Sequence, residues 1–372
     1  MKITTDKTLL LQALTDAQTV ARKSTSTPIL SHVLLSVQDT VQLRATDMEI
    51  WQSTTLADSD IEATGAITLS AKHFRDVIKT LPSGQVEIEA LDNHWAKITA
   101  GRSQFKIMGM ADRDFPAFPD DMVVDTTGER EEFGALAESL ARLIDRTIYS
   151  VSVDVARPNL NGVLLEATGS IATMVSTDGH RITKSAGSAT LKPLEKGITI
   201  PHAGLLAMRK VFSDCDQITS IVIEDGHLIV STPESTLWVK LRDTQFPPYN
   251  QVIPDDTKNN VSVDRMDLIT ALRQAVVMAP ERTATVKFDI LEDLIRMTSD
   301  NPDIGTSTLE VSALYRGPTF SIGFNGTYLL QAIEHIETDC VLLGFSGELD
   351  PVTVTPDDAA VDHVAVVMPM RL

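Results

Sequence analysis

Residues 162–178 have the sequence GVLLEATGSIATMVSTD, in which two apolar stretches flank a Thr-Gly turn and the second ends in Thr-Asp. This pattern predicts two strands joined by a turn. The same order occurs in residues 33–47, VLLSVQDTVQLRATD, and in residues 286–300, VKFDILEDLIRMTSD. A pattern that recurs three times along one chain predicts three copies of one structural unit.

A predicted helix precedes each of these segments, over residues 7–21, 133–149 and 265–278. A second half follows, with a helix over residues 71–81, 203–212 and 327–336, three short strands, and an apolar residue before proline. Two helices and antiparallel strands in each copy predict an α+β fold. We place three domains at residues 1–120, 129–254 and 260–372, with linkers rich in Pro, Asp and Thr.

The composition is that of a folded protein, with 43% hydrophobic and 22% charged residues. No apolar segment approaches the roughly 20 residues that cross a bilayer, and no signal peptide is recognisable, so we expect a cytoplasmic protein. The two cysteines are far apart, which argues against a disulfide framework or a thiolate zinc site. A net charge of −19 argues against general electrostatic attraction to DNA.

Cations nevertheless gather on one face of several predicted helices. Lys72 and Lys79 lie opposite the apolar face of residues 71–81, and Arg142 and Arg146 lie opposite that of residues 133–149. Such faces are usually only solvated. Because repeats place equivalent helices on a common side, the alternative is one basic surface on an otherwise acidic molecule. The last helix, with its glutamates, does not fit this pattern.

Ser176, Asp178 and His180 contain the groups of a catalytic relay. Neighbours on a turn do not form a relay by adjacency, and no nucleophile elbow, P-loop or metal-binding histidine pair accompanies them. Asp47, Asp178 and Asp300 hold equivalent positions in the three copies, as turn residues would. We therefore expect neither catalysis nor a metal site.

The chain ends in residues 364–372, VAVVMPMRL, which is unusually apolar for a terminus. These residues are either a final core strand or, from residue 368 onward, the lip of an adaptable binding groove. Unbranched methionine side chains repack readily around varied partners, which suits the second interpretation. The physical argument leaves both interpretations open.

Taken together, these motifs resemble the bacterial sliding clamps, the beta subunits of DNA polymerase III. The resemblance covers the whole chain and is most specific at residues 160–162, 177–181, 246–249, 323–325 and 367–372. It implies a non-catalytic processivity factor without a cofactor, in which a head-to-tail homodimer of six domains forms a closed ring around duplex DNA. Twelve helices about 9 Å apart would line a channel about 35 Å wide, which admits a duplex.

The resemblance implies several partners. They are double-stranded DNA held without sequence preference, the DNA polymerase III alpha subunit, the clamp loader, and other polymerases and repair proteins with short apolar peptide motifs. A groove between the second and third copies would receive these motifs, with the C-terminus as its lip. By resemblance, the groove residues are Leu160, Thr177, Gly179, His180, Arg181, Ile182, Pro247, Val252, Asn325, Tyr328, Val366, Val367, Met368, Pro369 and Met370. Gln251, Leu349 and Pro351 depart from the family pattern, which leaves the peptide preference open.

For contacts with DNA, the resemblance points to Arg22, Lys72 and Lys79, and the charged helix faces add Arg142 and Arg146. His202 and Ala203 stand where some relatives have basic residues. Topological attachment needs only weak contacts to phosphate, so the acidic net charge is no obstacle.

For subunit contacts, the resemblance implies Phe105 of one chain against Val277 and Met278 of another.

Two alternative functions remain from the residues alone. One is an enzyme that uses Asp178 and His180, and the other is a protein-only scaffold that never meets DNA.

Overall fold

The structure is a computed structural model of the 372-residue chain. It describes residues 1–21, 26–119, 132–133, 137–154, 156–189, 194, 196–213, 220–224, 226–254 and 256–371. The described residues form six α-helices: α1 (Lys7–Val20), α2 (Ala71–Thr80), α3 (Ala137–Thr147), α4 (His202–Ser213), α5 (Arg265–Val277) and α6 (Gly326–Glu334).

The described residues also form 25 β-strands. In chain order they are β1 (Lys2–Asp6), β2 (His32–Val37), β3 (Val41–Thr46), β4 (Ile50–Thr55), β5 (Asp60–Ala63), β6 (Gly65–Ser70), β7 (Gln85–Ala90), β8 (Trp95–Ala100), β9 (Ser103–Met110), β10 (Glu132–Phe133), β11 (Gly162–Thr168), β12 (Ile171–Thr177), β13 (Arg181–Ser188), β14 (Ile198–Pro201), β15 (Ser220–Glu224), β16 (His227–Ser231), β17 (Ser235–Lys240), β18 (Asn259–Asp264), β19 (Thr285–Leu291), β20 (Leu294–Asn301), β21 (Gly305–Leu314), β22 (Phe320–Asn325), β23 (Cys340–Phe345), β24 (Val352–Pro356) and β25 (His363–Val367).

Side-chain caps determine where helices begin. Asp6 Oδ1 accepts a hydrogen bond from the amide of Thr8 at 2.7 Å, which satisfies a free donor of the first turn of α1. This bond holds the pKa of the Asp6 carboxyl below its usual value. Asn325 caps α6 in the same way, since its Oδ1 accepts from the amide of Tyr328 at 3.1 Å.

The chain divides into two compact units, and the first contains the described parts of residues 1–141 and 203–241. Its strands form a 13-stranded antiparallel sheet in the order β10-β15-β16-β17-β4-β3-β2-β6-β9-β8-β7-β1-β5. Helices α1 and α2 pack against each other beside this sheet. Leu10, Leu14, Phe74 and Ile78 are fully buried, so both helices bury one apolar face each.

The second unit contains the described parts of residues 142–189, 193–202 and 242–372. Its strands form a 12-stranded antiparallel sheet in the order β14-β11-β12-β13-β25-β24-β23-β18-β21-β20-β19-β22. Helices α5 and α6 pack against each other. Leu268, Leu272, Phe288, Phe324 and Phe345 are among the buried residues of its largest apolar core.

Strand pairing joins the predicted copies. In the first unit β17 pairs with β4, and in the second unit β13 pairs with β25. The first copy is therefore continuous with part of the second, and the rest of the second is continuous with the third. β18 begins at Asn259, at the end of the linker predicted between the second and third domains. The domain limits 1–120, 129–254 and 260–372 stay a prediction.

Candidate functional site

A tight turn at residues 177–181 joins β12 to β13. Thr177 Oγ1 accepts from the amide of Gly179 at 3.1 Å and donates to the carbonyl oxygen of Arg181 at 2.7 Å. Asp178 Oδ1 accepts from the amides of His180 at 2.9 Å and Arg181 at 3.1 Å. Gly179 has φ of +90°, a conformation that favours glycine. Two side chains of the turn thus fix its own backbone and leave His180 exposed.

The first copy contains the same turn at residues 46–50. Thr46 Oγ1 donates to the carbonyl oxygen of Ile50, and Asp47 Oδ1 accepts from the Ile50 amide, both at 2.8 Å. Met48 takes the position of Gly179 and has φ of +74°. The expected equivalence of Asp47 with the aspartate of residues 177–181 therefore holds at the level of single hydrogen bonds.

The third copy departs from this pattern. Asp300 lies inside β20, and Asn301 Oδ1 instead accepts from the amide of Asp303 at 3.1 Å. The prediction that Asp300 is an equivalent turn residue is wrong, because β20 continues one residue further before the chain turns.

The guanidinium of Arg181 is buried and has a partner in every direction. Its Nε lies 3.0 Å from Asp178 Oδ2, and its terminal nitrogens donate to Gln331 Oε1 and to the carbonyl oxygen of Tyr149. Its Cζ lies 4.3 Å from the ring centroid of Tyr328 and 5.3 Å from that of Tyr149. A buried cation is stable when it is paired and hydrogen-bonded, so this side chain fixes β13 against α6.

The C-terminal residues continue from β25 past this turn. The amide of Met368 donates to the carbonyl oxygen of His180 at 2.9 Å, and that of Met370 donates to the carbonyl oxygen of Gly323 at 2.8 Å. The His180 and Tyr328 rings are nearly parallel, with centroids 6.5 Å apart. Met368 is 41% exposed. The backbone of the tail is therefore held at two points while a methionine side chain remains accessible.

An apolar cluster lies where the turn and the tail leave their strands. It contains Ile182, which follows the turn, and Val366, which precedes the tail. Leu164, Val175 and Tyr249 are also buried in it, and Phe246, Ile253 and Val364 pack against it. Pro247 and Val252, beside Tyr249 in sequence, stay at least partly exposed. The cluster therefore extends from the interior to accessible apolar side chains.

Tyr249 connects this cluster to a charged group. Its hydroxyl donates to Glu166 Oε2 at 2.6 Å. Burial, together with this carboxylate, raises the pKa of the Tyr249 phenol above its usual value. The phenol therefore stays protonated and keeps donating throughout the physiological range of pH.

The 15 predicted groove residues all lie in the second unit and differ in burial. Exposed or partly exposed are Gly179, His180, Pro247, Val252, Asn325, Tyr328, Met368, Pro369 and Met370, and buried are Leu160, Thr177, Arg181, Ile182, Val366 and Val367. Val367 belongs to the main core of the unit rather than to the cluster of Val366, because neighbours along a strand point to opposite faces. Leu160 ends a short 3-10 helix two residues before β11.

Sequence reasoning missed the residues that hold Arg181 in place. Tyr149 is 32 residues and Gln331 is 150 residues away from Arg181 along the chain. Spacing rules act over single turns of a helix or neighbouring positions of a strand, so they do not connect such distant residues. The apolar pattern of β11 and β12 indicated that Leu164 and Val175 are buried. It did not indicate that they lie beside the C-terminal residues.

Two of the predicted DNA-contacting cations lie on α2. Lys72 and Lys79 are exposed, and among the described residues neither ammonium group forms an ion pair. Arg22 lies outside the described residues. The two lysines therefore have charge available for an anionic partner.

The predicted cations of the second unit are in a different situation. Arg142 is exposed on α3, whereas the Arg146 side chain is 12% exposed and lies 3.2 Å from Glu337. Arg273 on α5 lies 2.7 Å from Glu334. Glu337 and Glu334, which did not fit the basic pattern, thus pair with Arg146 and with Arg273.

The predicted subunit contacts lie beside open strand edges. Phe105 is exposed on β9, whose pairing with β6 is limited to Gly109 and Met110 among the described residues. In the second unit, the pairing of β21 with β18 is limited to Ala313 and Leu314 among the described residues. The remaining outer edges of β9 and β21 thus have backbone groups without a strand partner in the described chain.

Val277 ends α5 with an exposed side chain, and Met278 follows it.

Among the described residues, no cluster of three or more His, Cys, Asp or Glu side chains is arranged to hold a metal ion. None of the described helices is both long and apolar enough to cross a membrane.

Family models of the DNA polymerase III beta subunit match three consecutive parts of the chain. The N-terminal domain matches residues 1–119, the central domain 136–248 and the C-terminal domain 250–371. The chain belongs to the DNA polymerase III beta subunit family. The predicted family and the α+β fold of three clamp domains are thereby confirmed.

Relatives named beta sliding clamp include those of Chlamydia pneumoniae and Pseudomonas aeruginosa. Each is 29% identical over 374 residues, covering 100% of this chain and at least 99% of the relative. The crystal structure of the DNA polymerase III subunit beta from P. aeruginosa matches with a TM-score of 0.90, 30% identity and full coverage of both chains. That from Thermotoga maritima matches with a TM-score of 0.91 and 25% identity, covering 100% of this chain and 99% of the other.

The function of this beta subunit is therefore that of a sliding clamp, as its family and its named relatives indicate. A clamp from P. aeruginosa has also been solved bound to griselimycin, with a TM-score of 0.89, 30% identity and full coverage of both chains.

Proposed function

We propose that two copies of this chain close into a ring around duplex DNA in the bacterial cytoplasm and tether the replicative polymerase to it. The groove formed by the turn at residues 177–181 and the C-terminal tail would receive short apolar peptides from its partners. The observation that carries this proposal is the hydrogen bond from the Met368 amide to the His180 carbonyl, beside an apolar cluster and accessible apolar side chains. The ring itself needs no catalytic group.

The chemistry of the groove suits an apolar peptide. Met368 has an unbranched, adaptable side chain, and the neighbouring rings of His180 and Tyr328 lie nearly parallel. A peptide with large apolar side chains gains free energy by covering such surface. The partners would be the polymerase III alpha subunit, the clamp loader, and other polymerases and repair proteins. The griselimycin complex of a related clamp supports a ligand site on this fold.

The ring would close through strand edges. Unpaired edges of β9 and β21 are templates for a strand from another chain. If β9 of one protomer pairs with β21 of its partner, two equivalent interfaces close a two-fold ring. Phe105 would then meet Val277 and Met278 of the partner.

An enzymatic function has less support. The carboxylate of Asp178 is engaged by the backbone of its own turn and by the guanidinium of Arg181. The His180 ring stacks toward Tyr328. Both groups therefore have structural partners that account for their position.

Retention on circular DNA tests the proposal. The cognate clamp loader places the protein on nicked plasmid, and gel filtration separates DNA-bound from free protein. The amount of bound protein is compared before and after the plasmid is linearised. A ring stays on the circle and slides off the linear form, whereas a protein bound by surface contacts treats both alike. Equal retention on the two forms contradicts the proposal. A solution mass of one chain under loading conditions also contradicts it.

A further inference from the structure

A small cavity of about 250 Å³ lies in the first unit, where the first two copies meet. The first copy supplies residues of α1 and of the end of β4, and the second copy supplies α4 and the turn between β16 and β17. The two parts are joined beside the cavity, because the amide of Thr55 donates to the carbonyl oxygen of Glu234 at 2.8 Å. This junction cavity shares no residue with the groove of the second unit.

The inner wall of the junction cavity is apolar. Ala13, Leu56 and Val211 line it and are 3, 4 and 7% exposed. Leu9 also lines it but is exposed, so it lies nearer the surface. The volume is below the range of about 300–1,000 Å³ that suits drug-sized ligands. A ligand with an apolar body of a few carbon atoms therefore fits, and covering the inner wall favours its binding.

The hydroxyl groups that line the cavity have already donated their hydrogens within the protein. Ser235 Oγ donates to the carbonyl oxygen of Ser53 at 3.3 Å, so Thr54 Oγ1, 3.3 Å from Ser235 Oγ, is the donor of that second bond. Thr232 Oγ1 donates to the carbonyl oxygen of Ser235 at 3.2 Å. A hydroxyl has one hydrogen and two lone pairs. The capacity that remains on these oxygens is therefore for accepting hydrogen bonds.

The charge at the cavity is negative. Asp16 and Glu234 both line it. The Asp16 carboxylate is engaged, since it lies 3.5 Å from Lys210 Nζ and accepts from Gln12 Nε2 at 3.3 Å. Glu234 is exposed and forms no ion pair within the described part of the chain. Neither lysine nor arginine is among the described residues that line the cavity. Acceptors together with a carboxylate favour a ligand that is a positively charged donor.

We propose that the junction cavity binds a short primary alkylammonium ion. Its carbon chain would cover the apolar inner wall, and its ammonium group would donate to the Thr54 hydroxyl and to the Glu234 carboxylate. An ammonium group has three donors and no acceptor, which matches a lining that has spare acceptors. Because the walls come from two copies, the bound ion would also stabilise their junction.

The choice of probe tests the chemistry of the ligand. Saturation-transfer NMR of n-butylammonium with the full chain, in about 0.15 M salt to screen general attraction, should give a dissociation constant on the order of 1 mM. n-Butanol keeps the carbon chain without the charge, and methylammonium keeps the charge without the chain. Each should bind at least about fivefold more weakly, and butyrate should bind least of all. Equal affinities for butylammonium and either butyrate or methylammonium overturn the inference.

Two substitutions test the location. T54V removes an acceptor while keeping the side-chain shape and should weaken butylammonium about tenfold, and E234Q removes an exposed charge and should weaken it about threefold. T4V, at a partly exposed threonine of β1, and E292Q, at an exposed glutamate of the turn between β19 and β20, are the matched controls. Both controls should keep the affinity of the unchanged chain. Equal effects of variants and controls overturn the assignment, and circular dichroism establishes that all four chains are folded.

Thermal unfolding tests the effect on the junction. Butylammonium should raise the midpoint of unfolding of the unchanged chain and of the T4V control, because it binds the folded state. The rise should be much smaller in T54V. A rise of the same size in T54V contradicts stabilisation through the junction cavity. E234Q, whose changed side chain is exposed, gives the same comparison if T54V unfolds too early to be measured.

A lysine side chain of another protein carries the same ammonium group on a four-carbon chain. Nα-acetyl-lysine N-methylamide tests this source. Weaker binding than that of butylammonium supports a free amine, whereas binding at least as tight overturns that assignment. These measurements need neither DNA nor a clamp loader. The ring function and the alkylammonium site can therefore fail separately, the first by plasmid retention and the second by NMR.

Discussion

Trp51 on β4 lies directly opposite Trp238 on β17. In the same way, Ile182 on β13 lies directly opposite Val366 on β25. Phe118 packs edge-on against Trp238, with ring centroids 6.0 Å apart, and is 1% exposed. The two junctions between copies thus share one strand geometry but differ in content. In the first junction the paired residues are two tryptophans. In the second the paired residues are aliphatic, with Tyr249 in the same cluster, and they lie beside an accessible turn and tail.

This difference predicts one peptide per chain rather than two. W51I should leave the affinity and stoichiometry of a polymerase tail peptide unchanged, while the cavity lowers the free energy of unfolding by about 2 kcal/mol or more. I182A, at the equivalent position of the second junction, should instead lower the affinity for the peptide. Calorimetric titration and urea unfolding measure these effects. Two peptides per chain would refute the distinction between the junctions.

The helices were predictable, because their apolar spacing and caps are local. Among the strands that join the copies, β13 was not. β13 has the sequence RITKSAGS, with small and polar residues that give little β signal, although it lies between β12 and β25. Its position depends on pairing with residues 363–367, far along the chain. Tertiary pairing overrides weak local propensity here.

The predicted site shows the same limit. The resemblance identified the tail and the turn, but alternation along β25 places Val366 and Val367 in different apolar clusters. The pairing of Arg146 with Glu337, 191 residues apart, has no counterpart in any local pattern. Long-range pairs require the fold, so the local pattern of charges did not indicate that Arg146 on α3 is paired.

Replacing Arg181 tests whether its contacts stabilise the site. R181K should lower the free energy of unfolding by about 2 kcal/mol, because lysine lacks the planar fork that reaches Gln331 and Tyr149 together. R157K serves as control, since Arg157 forms an exposed pair with Asp154 at 3.7 Å and should change stability by about 0.5 kcal/mol or less. Urea unfolding measures both. Similar losses of unfolding free energy in the two variants would show that the buried contacts of Arg181 stabilise the protein no more than an exposed ion pair does.

Removal of residues 368–372 tests the lip. This deletion removes the amide that bonds to His180 and the accessible Met368 side chain, so a polymerase tail peptide should no longer bind. Removal of residues 371–372 alone keeps both bonds of the tail and should retain most of the affinity. Calorimetry measures the affinity for the peptide, and the solution mass should show that both shortened chains remain dimers. Unchanged affinity in the longer deletion contradicts the assignment of the lip.

The glutamates on and after α6 should restrain DNA binding. E334Q with E337Q releases Arg273 and Arg146, which should raise duplex affinity and steepen the salt slope by up to about 2. E310Q is the control, because Glu310 pairs with Arg296 at 2.9 Å between strands rather than beside a helix. Anisotropy at several salt concentrations measures the slope. A gain no larger than that of E310Q would show that these arginines do not approach DNA.

Stability against acid should depend on His363. Burial lowers the pKa of its imidazole to about 4, and the nearby charges of Arg146 and His335 act in the same direction. The unfolded chain takes up a proton near the ordinary value of 6.5, so folding excludes that proton between about pH 6.5 and 4. Stability from this residue is therefore complete above pH 6.5 and falls by about 3 kcal/mol as pH decreases to 4.

H363L should flatten this part of the stability curve. It should also raise stability at low pH, since neither ring nitrogen has a hydrogen-bond partner among the described residues. Urea unfolding at several pH values gives the curve, and H94L, which removes an exposed imidazole, controls for the loss of any histidine. A slope between pH 4 and 6.5 equal to that of the unchanged chain would place the acid sensitivity in other groups.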